Sequence, residues 1–379
     1  MKTCATILAS LLFGALAAKA QVSFKKHAIH PVFISEGAAT GDVNKDGKTD
    51  ILAGVYWFEA PSWKPHRIHA DTLNPVPGYC TTFLNYCTDV NNDGWPDLIR
   101  FDQPGGLCVW YENPKGKDVP WKSHTILETA GNETPLLADV DLDGEEDIIC
   151  NDSQAKQVIW LKAPSGKGAS QWTKTIISSH SERGTHKYTH GLGWGDINKD
   201  GRNDVIINTG WWESPANVTR PEWTFHPADL GKECANMFVL DADGDGDMDV
   251  VSSSAHNYGI WWHEQQAQGF TTHEINKQFS QTHAMVFEDI NKDGHPDLIT
   301  GKRYFAHNGK DPGEFEPAVL YWFEYKPGKT PSWIPHEIDN NSGIGNRFVV
   351  TDLNGDGLKD VITSNKKGVY YFEQVKNNR

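Results

Sequence analysis

Seven nine-residue segments of this 379-residue chain carry an oxygen-bearing side chain at positions 1, 3, 5 and 9 and glycine at position 6. Position 1 is Asp42, Asp89, Asp139, Asp196, Asp241, Asp289 and Asp352. Position 3 is Asn44, Asn91, Asp141, Asn198, Asp243, Asn291 and Asn354. Position 5 is Asp46, Asp93, Asp143, Asp200, Asp245, Asp293 and Asp356, and position 9 is Asp50, Asp97, Asp147, Asp204, Asp249, Asp297 and Asp360. Alternating oxygens on a tight loop converge on one point, as a hard cation such as calcium requires. The glycine permits the sharp turn that brings the acids together. The segment starts like an EF-hand loop, but its last acid falls at position 9 and a strand follows, as in Leu298-Ile299-Thr300. The competing reading is a set of self-capped Asx turns without metal. Seven copies with the acids intact favour calcium in several of them.

A second group of residues does not recur with the loops. In Gly184-Thr185-His186-Lys187-Tyr188-Thr189-His190-Gly191, His186, Tyr188 and His190 stand at period two and share one face of an extended segment. Gln281-Thr282-His283-Ala284 holds an equivalent place two repeats later, and Gly301-Lys302-Arg303-Tyr304-Phe305-Ala306-His307-Asn308 opens the longest insertion. Imidazoles, phenols and cations around one cavity suit chemistry on acidic sugars. A base of suitable pKa abstracts a proton beside a carbonyl or carboxylate, and positive charge stabilises the developing enolate. His186, His190 and His283 are candidate ligands for zinc or a similar ion, which would supply that charge.

The elements that must position these groups are short strands. Phe24-Lys25-Lys26-His27-Ala28-Ile29 recurs as Trp63 to Ile68, Trp121 to Ile126, Phe270 to Ile275 and Trp333 to Ile338, with looser copies at Trp172 to Ile177 and Trp223 to His226. An aromatic strand precedes each full copy, such as Val55-Tyr56-Trp57-Phe58-Glu59 or Leu320-Tyr321-Trp322-Phe323-Glu324. Period-two apolar residues are what a half-buried strand needs. Each repeat therefore has four strands: an apolar inner strand ending at the Asp loop, a second, an aromatic third, and an outer strand bearing Trp and His. The chain supplies one outer strand before the first loop and lacks one after Val369-Tyr370-Tyr371-Phe372-Glu373. An all-β, seven-bladed propeller closed by residues 24–29 accounts for both facts and removes the open edge. The first and last loops start 310 residues apart, a mean spacing of about 52 residues, which lies in the range of propeller blades.

In such a ring the Asp loops share one face. The opposite face carries the segments entering each inner strand and the second-to-third-strand loops, and should hold any functional site. Tyr79, Asn236 and Arg347 enter inner strands and are expected to project toward the channel mouth. His27, His66, His124, His273 and His336 recur at equivalent outer-strand places and read as structural, and Trp57, Trp110 and Trp322 as core. Of the doubled Trp211-Trp212 and Trp261-Trp262, one of each pair is expected nearer the surface. Glu36, Asp102, Glu133 and Asp152 are isolated candidates for hydrolysis by paired carboxylates.

Composition narrows the rest. The net charge of −15, concentrated in the loops, and the lack of a basic stripe argue against nucleic acid. Lys2, an apolar run from Ile7 to Ala17 and Ala18-Lys19-Ala20 read as an export signal, residues 1–20, and the run is too short to span a bilayer. The expected product is an exported propeller over 21–379, periplasmic or extracellular. It retains Cys80, Cys87, Cys108, Cys150 and Cys234, an odd set compatible with one or two bridges or with buried thiols.

The repeats resemble the FG-GAP/VCBS repeats of integrin-type seven-bladed propellers across nearly the whole mature chain. Thr185 to Gly195, Thr282-His283-Ala284 and Gly301 to Gly313 resemble, more narrowly, exported relatives of the aldos-2-ulose dehydratase propeller domain and propeller-fold polysaccharide lyases. That likeness implies elimination across a C–O bond of an acidic glycan or oxidised sugar with a divalent metal. It implies metal or base roles for His186, His190 and His283, acid or base roles for Tyr188 or Tyr304, and binding of the acidic group by Lys302, Arg303 and Arg347. The competing expectation is a propeller that binds a glycan or protein without chemistry.

Overall fold

A computed structural model describes residues 22–70, 78–232 and 235–376. The export segment 1–20 and Cys234 lie outside the described residues. The described chain is all strand and turn, and it contains no helix long and apolar enough to cross a membrane.

Seven four-stranded antiparallel units follow one another as expected. The first runs Ala39–Gly41, Asp50–Ala53, Tyr56–Glu59 and Lys64–Arg67, from inner to outer strand. Ser23–His30 pairs with Gly368–Val375 and so completes the seventh blade. Inner strand Ala39–Gly41 lies beside both Leu84–Thr88 and Phe348–Thr351, which closes the circle. One feature departs from seven separate sheets. The 17-residue strand Lys122–Ala138 is outer strand to blade 2 and inner strand to blade 3, so these two blades form one seven-stranded sheet. Ala130 is the crossover, paired to both Gly106 and Asp152. Gly131 beside it has no room for a side chain, because a Cβ there would stand 2.0 Å from Asn151 Oδ1.

The Asp loops share a single conformation. Position 4 has positive φ in every copy, from 54° at Asn92 to 77° at Gly355, and the glycine at position 6 lies between 83° and 99°. In six loops the position-1 carboxylate accepts the N–H groups of positions 5 and 6, as Asp42 does from Asp46 and Gly47 at 3.0 Å each, whereas in blade 5 Asp241 accepts the N–H of Gly244. Position 9 differs from the others. All seven of these aspartates are buried. One oxygen accepts the N–H at the end of the third strand in every blade, at 2.7–2.9 Å. In six blades the other accepts the position-2 N–H, as in Ile290 to Asp297 at 3.1 Å. Position 9 is thus a buried clip that ties loop to sheet, while positions 1, 3 and 5 form the outer rim.

The outer strands are held by a second repeated device. Six histidines stack on an aromatic ring of the third strand, with centroids 4.1–5.0 Å apart. Each also reaches a glutamate at 2.6–3.4 Å, as in Trp57, His66 and Glu59. His27, His66, His124, His273 and His336 are all in this structural set. Blade 3 is the exception: Thr175 faces Trp160, and Lys162 replaces the glutamate and turns to Asp141 and Asp143. Trp212 and Trp262 are core, and Trp211 stacks on His226 at the half-buried edge. Between sheets lie clusters such as Ile99, Trp110, Ile148, Cys150 and Ile159, and each fully buried large side chain contributes about 1.5–3 kcal/mol. Cys80, Cys87, Cys108 and Cys150 are free thiols rather than bridges.

Candidate functional site

The face opposite the Asp loops holds a cavity of about 360 Å³ lined by Tyr79, Phe83, Gln103, Pro104, Glu133, His186, Tyr188, His190, His256, Arg303 and His307. Its walls come from segments entering the inner strands of blades 2, 3 and 4, and from the second-to-third-strand loops of blades 2, 5 and 6. The segment 184–191 is laid onto blade 3 by Asn132 N–H to Lys187 O and Glu133 N–H to Thr189 O, each 2.9 Å. Asn151 reinforces it, donating to the carbonyls of Gly184 and His186. His283 is fixed from blade 5 by Thr282 N–H to Ser254 O at 2.9 Å.

At the cavity floor, Glu133, His190 and His283 bring one ligand atom each within 4.8 Å of one another. Both imidazoles are at least nine-tenths buried. His283 Nδ1 lies 3.1 Å from Gln281 O, an oxygen that only accepts, so Nδ1 carries the proton and Nε2 is bare. His283 Nε2 and His190 Nε2 have no hydrogen-bond partner among the described residues. Burial lowers the pKa of both imidazoles and sets that of His283 well below its ordinary value. Burial would raise Glu133, but His190, Arg303 and Asn346 hold it below the usual carboxylate value, so it is ionised. An ionised carboxylate whose Oε2 accepts from Asn346 at 2.9 Å, set beside two imidazole nitrogens without a hydrogen-bond partner, is a donor set for a borderline divalent ion such as zinc. Two tetrahedral ligands of such an ion stand roughly 3.4 Å apart. His190 Nε2 and Glu133 Oε2 are 3.5 Å apart.

Arg303 braces this floor. It is buried to 1% exposure, contacts both oxygens of Glu36 at 3.2 Å, and reaches Glu133 at 3.6 Å. Above it sit two further imidazoles. His256 Nδ1 hydrogen-bonds one oxygen of Asp311 at 2.9 Å, and His307 Nδ1 lies 2.6 Å from the same oxygen, so these three side chains form a second, less buried cluster of potential ligand atoms. The His256 ring is 4.6 Å from that of His190, and His307 is 5.5 Å from His283. The insertion that carries His307 and Asp311 is stapled down. Lys302 Nζ donates to the carbonyls of Gly313 and Glu316, Glu314 accepts the N–H groups of His307 and Gly309, and Lys366 Nζ donates to Phe305 O.

The sequence-derived candidates divide accordingly. His190, His283 and Arg303 are brought together. His186 is exposed at the rim with Tyr188, and Glu133 takes the place expected for it on the floor. Lys302 faces the insertion and not the cavity. Tyr304 packs on Phe305 beneath Lys367 Nζ and does not line the cavity. Arg347 and Asn236 lie in a second cavity on the ring axis. Among the acids set aside for hydrolysis, Asp102 pairs with Arg100 at 2.9 Å and Asp152 with Lys174 at 2.8 Å. Glu36 and Glu133 flank Arg303. None of the four forms a carboxylate pair across the cavity. Sequence reasoning missed His256, although it stands outside the Trp–His pattern, and that displacement was the available signal.

With this geometry in place, comparison with known proteins identifies the repeat. Residues 89–150, 139–207 and 241–300 match the FG-GAP-like repeat. Each match starts at the first aspartate of a loop, at Asp89, Asp139 and Asp241. No curated protein matches the sequence. Among solved structures, the chain resembles a lectin of Agrocybe aegerita described for specific recognition of non-reducing terminal N-acetylglucosamine. The TM-score is 0.51 at 17% identity, over 90% of this chain and 94% of the lectin. That likeness concerns the fold, a β-propeller.

Proposed function

We propose that the cavity binds a saccharide and that the protein is a metal-dependent lyase, eliminating across a C–O bond of an acidic glycan or oxidised sugar. The observation that carries this reading is the buried Glu133, His190 and His283 set, whose donor atoms converge at the base of an open cavity and whose two imidazole Nε2 atoms have no hydrogen-bond partner among the described residues. A divalent cation bound there would polarise a carbonyl or carboxylate and stabilise the charge that develops on proton loss. His256 or His307, both lining the cavity, can accept the proton. Arg303 helps keep Glu133 ionised, and Asp311 orients His256. Tyr79 and Tyr188, 40% and 39% exposed, offer ring faces for a sugar at the rim. Residues 1–20 would direct the protein out of the cytoplasm.

On the other face we assign calcium to the loops of blades 5 and 7. Their acids have no Lys or Arg within ion-pair distance among the described residues. Lys48, Lys115, Lys162, Arg202 and Lys326 contact acids of the remaining five loops.

A panel of acidic and neutral glycans with mass spectrometry of the products tests the reaction. The expected products sum to the mass of the substrate and absorb as a conjugated alkene, and they disappear in folded His190→Ala and His283→Ala. Products that gain water would overturn elimination. Retention on a glycan with no product would support the second reading, a binding propeller. The exposed rim tyrosines and the lectin-like fold favour that alternative.

A further inference from the structure

The second cavity, about 290 Å³, lies on the ring axis and is walled by inner-strand residues such as Tyr86 and by Asn236, Asn346 and Arg347 in the segments that enter inner strands. It is distinct from the histidine cavity. Asn346 stands between them and donates to Glu133 at 2.9 Å.

Arg347 is the unusual member. Its guanidinium lies 4.1 Å from the Tyr86 ring centroid. Its Nε is buried with no acceptor, and no hydrogen bond or ion pair joins the group to any described residue. The other cations near the axis are matched: Arg303 has two carboxylates, and Lys302 and Lys366 have carbonyls. Tyr86 offers Arg347 its ring face, while its hydroxyl donates to Pro135 O at 2.6 Å. Asn236 adds a second donor group. Its Oδ1 accepts Met285 N–H at 3.2 Å, and its amide N–H groups meet no acceptor among the described residues. Glu146, exposed on the loop side, is the one carboxylate on the wall, and it is beyond ion-pair distance of Arg347.

Arg347 is half-buried, with its Nε sealed from solvent; a guanidinium partly withdrawn from water gains from a counter-charge, and its planar fork matches an oxyanion in bidentate fashion. Water can satisfy the donors but leaves the charge uncompensated. Burial also depresses the Arg347 pKa, the penalty that a bound anion would relieve. We propose that the axial cavity binds a small oxyanion, held by the Arg347 fork and the Asn236 amide. The chemistry is that of a carboxylate or an inorganic oxyanion, and the site is independent of the reaction proposed for the histidine cavity.

Crystals of the full chain soaked in selenate, with anomalous data at the selenium edge, test this directly. A selenium peak within hydrogen-bond reach of Arg347 is expected, and water alone around Arg347 would overturn the proposal. In solution, the unfolding midpoint should rise saturably with phosphate, formate or glucuronate at constant ionic strength. Preference for phosphate points to an inorganic ion, and preference for glucuronate to a sugar acid. Arg347→Lys, which keeps the charge but loses the fork, should weaken binding about tenfold or more, and Arg347→Gln should abolish it. Glu146→Gln removes a competing carboxylate and should tighten binding. An unchanged saturable response in both Arg347 variants would place the anion elsewhere and sink the inference.

Discussion

Glu36 and Glu133 flank the same arginine, yet their removal should have opposite consequences. Glu36 contacts Arg303 through both oxygens at 3.2 Å, and Glu133 touches it at 3.6 Å. Glu36→Gln leaves a fully buried guanidinium with only the longer contact, and breaking a buried pair costs about 3–5 kcal/mol. Glu133→Gln leaves the two-oxygen Glu36 pair in place, so its cost is that of one weakened polar contact, about 1 kcal/mol. At roughly 2 °C for each kcal/mol in a chain of this size, Glu36→Gln should lower Tm by about 6–10 °C and Glu133→Gln by about 2 °C. Zinc affinity should reverse the order. Glu133→Gln removes the one ionised donor beside His190 and His283, and the zinc Kd should rise at least a hundredfold, about 2.7 kcal/mol. Glu36→Gln should leave the Kd within a few-fold. Thermal unfolding of the metal-free proteins and zinc competition against a chromophoric chelator give both quantities. The reasoning is refuted if Glu133→Gln is the less stable variant, or if it binds zinc as the wild type does.

Three further outcomes follow from the fold. Asp297→Ala strips the acceptors from buried Ile290 and Tyr325 N–H groups and should cost about 2–5 kcal/mol, measured by denaturant unfolding; a loss under 1 kcal/mol contradicts the clip. His263 is buried between Ser252 and Thr272, and burial lowers its pKa from 6.5 to about 4. The unfolded chain therefore takes up the proton first, and the stability this group contributes is present above the unfolded pKa and lost as pH falls from about 6.5 toward about 4. Between about pH 7 and 5, His263→Gln should lose about 2 kcal/mol less stability than wild type, and parallel pH profiles would exclude this. Lys302→Met removes the strap on the insertion bearing His307 and Asp311. Amide exchange over 304–317 should accelerate at least tenfold while the blades stay protected; unchanged exchange would show that other contacts suffice.

The ring was legible because its determinants are local and repeated. Position-9 aspartates, glycines with positive φ and aromatic–His–Glu strands each act within one blade, so seven copies of the loop and six of the aromatic–His–Glu set announce themselves in the sequence. The strand shared by blades 2 and 3 was not legible, because it depends on how Ala130 pairs on both sides. The cavity was half legible. The period-two spacing of His186, Tyr188 and His190 located the right segment, but which member turns inward depends on the backbone bonds that lay this segment against blade 3. Lys302 and Arg303 are adjacent in sequence and face opposite ways, so composition could not tell strap from brace. Glu133 gained its place from contacts to Arg303 and Asn346, 170 and 213 residues away along the chain.

The measurement that bears most directly on the site is anomalous diffraction at the zinc edge from protein loaded with one equivalent of the metal. A single peak bounded by Glu133 Oε2, His190 Nε2 and His283 Nε2, lost in His283→Ala, is the predicted result. Zinc found only in the aspartate loops, or at no defined position, would contradict it.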